Sequence, residues 1–233
     1  MGILDRRWLW RAGAVLICAL VIGGIAAQRE QAVSEQSSAC ARFEAQAELR
    51  LDAVVGSGPR TVVIGDSWAA GLESRDIGRT WTDQLPGRVT VHAFAGSGFS
   101  RTASGCGEAF SYAARAASAP FDEAALVVIE GGLNDFDRPA SEITVGFNAV
   151  IDQMIARGVE PEEIRVIGPA RAPSRAGGAI RVDRLLSDLA ERRDIAYVSV
   201  IDLELDYLDD QLHLTDAGHA MFGSVVQERL GVG

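Results

Sequence analysis

Lysine is absent from the 233 residues, and all 22 basic side chains are arginine. That absence carries no functional message by itself. The formal charge is −10 and no arginine-rich run offers a local exception, so nucleic acid, whose phosphates would be repelled, is excluded as a partner. Cysteine is scarce, at three residues; no pair has finger spacing and none has a histidine near it in sequence, so neither a metal nor any other cofactor is expected. Histidine is equally scarce, which confines any reaction needing an imidazole to His92, His213 or His219. There is no internal repeat, no second globular domain, and only one long uncharged run.

That run, Ala12 to Ala27, follows Arg6, Arg7 and Arg11. It is short for a membrane span and suited to the apolar core of a signal peptide, so residues 1–27 are read as an export segment. Gly24-Ile25-Ala26 offers a small-x-small cleavage site, while Trp8 to Trp10 would lengthen an uncleaved membrane anchor; the sequence leaves secretion and anchoring at the cell surface both open. Cys18 lies mid-run after Ile17 and reads as apolar filler, not as a lipid acceptor. Outside the cytoplasm the remaining pair, Cys40 and Cys106, is expected to form a disulfide joining the first helix to the loop after the second strand.

Gln28 to Ser38 is polar and unpatterned and reads as a linker, residues 28–38, ahead of one domain at 39–233. Helical spacing is expected to begin after Ser38, with Phe43, Ala47, Leu51 and Val54 on one face and Gly56 as the stop. Five short apolar runs follow: Thr61 to Ile64, Val89 to Phe94, Leu126 to Ile129, Ile164 to Ile167 and Ala196 to Ile201. Most are continuously apolar, as strands covered on both faces are. Helix-period stripes lie between them, at Ile143 to Met154 closed by Gly158, at Val182 to Leu189, and after Thr215, a candidate N-cap. Ser100 to Ala117 is alanine-rich and expected to be partly helical. This alternation predicts an α/β fold, a three-layer αβα sandwich around a five-stranded parallel sheet.

In such sheets the site lies beyond the carboxyl ends of the strands. Four polar loops converge there: Gly65-Asp66-Ser67, Gly96 to Ser100, Gly131 to Asp135, and Asp209 to His213. Serine is a poor nucleophile without an adjacent base. His92 sits inside a strand and His219 inside the last helix, where packing roles are expected. His213 precedes that helix in a loop on the active edge. A carboxylate three residues back, Asp210, can reach its Nδ1–H and leave Nε2 facing outward, although Asp209 competes on spacing alone. Donors for a developing oxyanion are available from the backbone N–H of Ser67, from Gly98 N–H and from the Asn134 amide. Asp66 is expected to brace its turn. Trp68 is expected to pack behind Ser67.

Taken in order, these blocks resemble the SGNH hydrolases, the GDSL family of esterases and lipases. GDS at Gly65 to Ser67 is similar to the first block, with tryptophan where the family name has leucine. Ala95 to Ser100 resembles the second block around Gly98, with Ala93 where an asparagine is often found. Gly132-Leu133-Asn134-Asp135 resembles the GxND block, and Asp210-Gln211-Leu212-His213 the DxxH block. The resemblance spans Thr61 to Leu230. It implies a flavodoxin-like sandwich with strand order 2-1-3-4-5. It also implies a triad of Ser67, His213 and Asp210, with Asp210 chosen over Asp209, and an oxyanion hole of Ser67, Gly98 and Asn134.

The activity implied is hydrolysis of carboxylic esters, with short O-acyl groups favoured because no long apolar lid is evident. Its substrates would be esters, among them acylated glycans or lipids. Two rivals keep the same residues or the same edge: an O-acyltransferase acting on cell-envelope glycans, and a non-catalytic ligand-binding domain. A metallohydrolase built from Asp66, Asp135, Asp210 and His213 lacks the ligand spacing it would need.

Overall fold

The computed structural model describes residues 6–74, 76 and 79–231, and side chains from Gly24 onward except that of Ala26. Most of the segment 1–27, expected from its sequence to be an export signal, thus lies outside the described side chains, Cys18 included. Two compact units are present, Met1–Arg42 and Phe43–Gly233. Among the described residues no helix is long and apolar enough to cross a membrane. Cys40 and Cys106 are each disulfide-bonded.

Helix α1 runs from Arg6 to Asp52. The stretch 28–38 is therefore helical, contrary to the expectation that helix begins after Ser38. Its composition explains this, because Gln, Arg, Glu and Ala are all good helix formers with no apolar face to announce them. Gln31 also bonds Glu35 one turn on, at 3.0 Å.

At the C-terminal end of α1, only half of the expected face of Phe43, Ala47, Leu51 and Val54 is covered: Phe43 and Ala47 are half-buried, with Phe43 edge-on to Phe94 at 6.1 Å. Leu51 and Val54 are exposed, while Arg50 is fully buried. At 3.6 residues per turn Arg50 lies about 20° from Phe43 around the axis and Leu51 about 80° away. The Arg50 guanidinium donates to Ala69 O at 3.2 Å, to Ala53 O at 3.0 Å and to the hydroxyls of Thr80 and Thr82. A buried cation with that many acceptors replaces the apolar contact that periodicity anticipates.

The sheet comprises β1 (Arg60–Gly65), β2 (Arg88–Ala93), β3 (Ala124–Glu130), β4 (Ile164–Ile167) and β5 (Ala196–Val198). All are parallel, in the order β2-β1-β3-β4-β5. The chain thus reverses direction along the sheet between β1 and β3, which opens a crevice at their carboxyl ends. Alternate residues face two cores. Val62, Ile64, Val127 and Ile129 pack against α3 (Tyr112–Ala116), α4 (Ala140–Ala156) and α5 (Ala176–Glu191). Val63, Leu126, Val128 and Val198 face α2 (Ser67–Ala70), Trp81 and α6 (Asp216–Leu230). Covering both faces is why the strands read as unbroken apolar runs.

The fifth strand is shorter than its apolar run, ending at Val198; Ser199 next turns its hydroxyl to Asp183 at 2.9 Å. In the alanine-rich segment only five residues form α-helix. Gly107 at φ 111° interrupts it, and Ser111 caps the short helix that follows.

Candidate active site

Strand β1, between β2 and β3, delivers its last residue, Gly65, to the carboxyl edge of the sheet. The next residue, Asp66, is fully buried and caps α2, its Oδ1 accepting the Trp68 N–H at 2.9 Å. Gly65 is needed for space and not for an unusual dihedral. A Cβ there would stand 2.4 Å from that of Ala69, so only glycine lets the one-turn helix lie this close to its strand. Ser67 opens α2 and retains 6% exposure in an otherwise buried turn.

The loop after β2 is held by three residues from two other segments, the turn after β3 and α3. Asp135 accepts from Phe99 N–H at 2.9 Å and Ser100 N–H at 2.8 Å. Asn134 donates from Nδ2 to Ser97 O at 2.9 Å and to Asp66 Oδ2 at 3.2 Å. Arg115 of α3 donates to Gly65 O at 2.8 Å, to Ser97 Oγ at 2.7 Å and to His92 O. One half-buried cation therefore ties the ends of β1 and β2 to the loop carrying Gly98. Arg175, immediately before α5, donates to Leu133 O at 3.3 Å and Asn134 Oδ1 at 3.4 Å, and lies 4.3 Å over the Phe136 ring. Its bond to Oδ1 fixes which end of the Asn134 amide faces Ser97 and Asp66.

The fourth block is a hairpin. Tyr207 and Leu214 pair across it, and Leu208 N–H donates to His213 O at 2.8 Å. His213 Nδ1 lies 2.5 Å from Asp210 Oδ2, while Asp210 Oδ1 accepts the N–H groups of Leu212 and His213, both at 2.9 Å. The carboxylate on the ring is thus that of Asp210 and not of Asp209. Two tethers fasten this hairpin to the rest of the site. Gln211 O accepts from Ser174 N–H at 3.1 Å and from Ser174 Oγ at 2.9 Å, and Leu212 O accepts from Trp68 Nε1 at 3.1 Å. The hairpin needs such restraint, since Gln211 adopts a left-handed φ of 57° that costs a non-glycine residue about 1 kcal/mol or more.

Burial dominates the electrostatics. It pushes the Asp66 carboxyl up to about 6, against the opposing pull of Trp68 N–H, His213, Arg115 and Arg175. Burial likewise raises Asp135 to about 7 despite its two backbone donors. Glu130, at the end of β3, is raised well above its ordinary value by burial and then by the charge of Asp66. Burial also pushes upward on Asp210. There the bonds from His213 N–H, the His213 ring and Leu212 N–H outweigh it and leave that carboxyl below its ordinary value. Burial lowers His92 and His219 to about 4, so both are neutral packing residues near neutral pH. Among the described residues no three His, Cys, Asp or Glu side chains are grouped to hold a metal ion.

The structure brings Ser67, Gly98, Asn134, Asp210 and His213 to one edge, as the order of their loops anticipates. Sequence reading did not single out Arg115, Glu130, Ser174 or Arg175. Only Glu130 left a trace in the sequence, as a carboxylate closing an apolar run just before two glycines.

Residues 63–221 match the GDSL-like Lipase/Acylhydrolase family. Comparison with curated protein sequences finds no match. Among solved structures, the aryl esterase of M. smegmatis is 18% identical, with a TM-score of 0.56 over 74% of this chain and 98% of that one. Est24, a carbohydrate acetylesterase from Sinorhizobium meliloti, is 20% identical, with a TM-score of 0.57 over 74% and 98%. Axe2, an acetylxylan esterase from Geobacillus stearothermophilus, is 16% identical, with a TM-score of 0.57 over 76% and 96%. At these identities the likeness is one of fold. The family match takes in the GDS turn, the glycine loop, the GxND block and the DxxH hairpin, and the chain belongs to the GDSL-like lipase/acylhydrolase family, the SGNH esterases.

Proposed function

We propose that this protein is an exported serine esterase that removes short O-acyl groups through a triad of Ser67, His213 and Asp210. The observation that carries this reading is the 2.5 Å contact between His213 Nδ1 and Asp210 Oδ2, on a hairpin bonded directly to the residue after Ser67. With Nδ1–H committed to the carboxylate, the His213 tautomer leaves Nε2 as the free base.

Ser67 Oγ attacks the ester carbonyl carbon as its proton passes to His213 Nε2. The tetrahedral oxyanion takes hydrogen bonds from Ser67 N–H, Gly98 N–H and the Asn134 amide, whose longer bond, the one to Asp66, is exchanged for substrate. Collapse expels the alcohol, which receives the proton from His213. Water then attacks the acyl-enzyme by the same route, releasing the acid and regenerating Ser67. Asp210 holds the ring and balances the imidazolium charge without taking the proton. Asp66 braces the turn.

The preference for short acyl groups on a carbohydrate alcohol draws support from the names of two fold relatives, a carbohydrate acetylesterase and an acetylxylan esterase. The short loops of the site agree with it. Export rests on the arginines before the apolar run at 12–27; if that segment is retained, it is a membrane tether.

The test is hydrolysis of p-nitrophenyl acetate by wild type and Ser67→Ala, with labelling by a fluorophosphonate. Wild type is expected to turn over and to label at Ser67, while Ser67→Ala folds and does neither. Retained turnover in Ser67→Ala would overturn the assignment of the nucleophile. Turnover that rises with acyl chain length toward long chains would overturn the substrate preference.

A further inference from the structure

The triad reading leaves Trp68 without a role, although it stands next to the nucleophile where the family name has leucine. It is 1% exposed, and its ring packs edge-on against Phe222 at 5.3 Å and at a tilt against Tyr207 at 6.2 Å. Packing alone would be met by leucine or phenylalanine. The indole N–H is what they lack, and it reaches 144 positions along the chain to Leu212 O at 3.1 Å.

That bond is not an automatic result of burying tryptophan in this cluster. Trp81 packs on the same Phe222 at 5.4 Å and is equally buried, yet its indole N–H has no hydrogen-bond partner among the described residues. The acceptor of Trp68 is also a particular one. Leu212 lies between Gln211, held left-handed, and His213, and its own N–H is bound by Asp210. Tyr207, which the ring touches, is the pairing residue at the mouth of the same hairpin.

From these contacts we propose that Trp68 is a positioning residue that sets the distance between the nucleophile and its base. It is rigidly joined to Ser67 through α2 and, by one hydrogen bond, to the peptide that precedes His213. Ser67 and His213 have no covalent connection shorter than the chain between them, so their separation depends on how the α2 turn and the hairpin are docked. Ser174 fixes the far side of the hairpin through Gln211 O, and Trp68 fixes the near side. Removing the N–H frees the near side to shift, and a misplacement of about 1 Å between reacting groups costs on the order of 100-fold in rate.

This inference rests on the triad reading, and the experiment separates the two. Trp68 is replaced by phenylalanine and, through nonsense suppression, by β-(3-benzothienyl)alanine, which keeps the bicyclic shape with sulfur in place of N–H, and by 7-azatryptophan, which keeps the N–H. Active serines are titrated with a fluorophosphonate so that kcat refers to competent enzyme only. The benzothienyl variant is expected to lose 10- to 100-fold in kcat and in labelling rate, with KM within about twofold of wild type. The azatryptophan variant is expected to keep both. Phenylalanine should follow the benzothienyl variant; if it fails to fold, the isosteric pair still decides. Wild-type kcat in the benzothienyl variant would overturn the positioning role alone. Wild type that neither labels nor hydrolyses esters would overturn the triad and the inference with it.

Discussion

Replacing Gly98 by alanine tests whether the second loop works as a fixed donor. Gly98 is not in the left-handed region, so alanine is acceptable to its backbone, and the effect is one of space. The added Cβ would lie 2.5 Å from Asp135 Oδ2 and 2.9 Å from both Asp135 Cγ and the Ala103 Cβ. Ordinary contact begins near 3.4 Å, so the loop or the carboxylate must move by about 0.9 Å. Asp135 cannot retreat freely, because both its oxygens hold the next two backbone N–H groups of the same loop. The loop therefore moves. A donor displaced by that much passes from hydrogen-bonding range to about 3.8 Å, where little of the bond remains. Loss of one oxyanion donor costs about 100- to 1,000-fold in kcat.

The assay is steady-state hydrolysis of p-nitrophenyl acetate beside a thermal melt. We expect kcat to fall by two to three orders of magnitude, KM to change little, and stability to drop by about 1–3 kcal/mol from overpacking. If Gly98→Ala keeps kcat within about threefold of wild type, Gly98 N–H does not serve the oxyanion, and the Asp135 clamp is a feature of loop stability only.

Two further outcomes follow from burial and from the cysteines. His219 is 2% exposed and its pKa is depressed to about 4, so its neutral form is favoured by folding; that contribution is complete above about 6.5 and is lost as pH falls toward 4. The stability difference between wild type and His219→Gln should shrink by ~3 kcal/mol over this window in denaturant titrations, and a pH-independent difference would refute the assignment. Peptide mapping of the unreduced protein should yield a Cys40–Cys106 linked fragment, and reduction should cost about 4 kcal/mol from the loop entropy of roughly 65 intervening residues. Two thiols alkylated without reduction would remove the pairing.

What the sequence could determine is what depends on short-range pattern. Apolar runs of four to six residues announce parallel strands, because a strand covered on both faces has no polar side to alternate with. Thr215 announces the start of α6, and its hydroxyl accepts Gly218 N–H at 3.0 Å. The four loop motifs announce one edge, because the carboxyl ends of parallel strands share it. The failures are equally local in cause. The helical stretch 28–38 has no periodic face to show, and Arg50 occupies an interior position that apolar spacing assigns to Leu51.

Only the tertiary structure decided which polar atoms meet. Nothing in spacing says that Arg115 bridges Gly65, His92 and Ser97, that Arg175 orients the Asn134 amide, or that Asp135 closes on Phe99 and Ser100. These bonds join residues tens of positions apart, and a buried donor's partner is set by the docking of elements and not by local propensity. Trp68 shows this most plainly. Its apolar bulk beside Ser67 predicts burial, whereas its bond to Leu212 exists only because the last hairpin returns across the sheet to lie against α2.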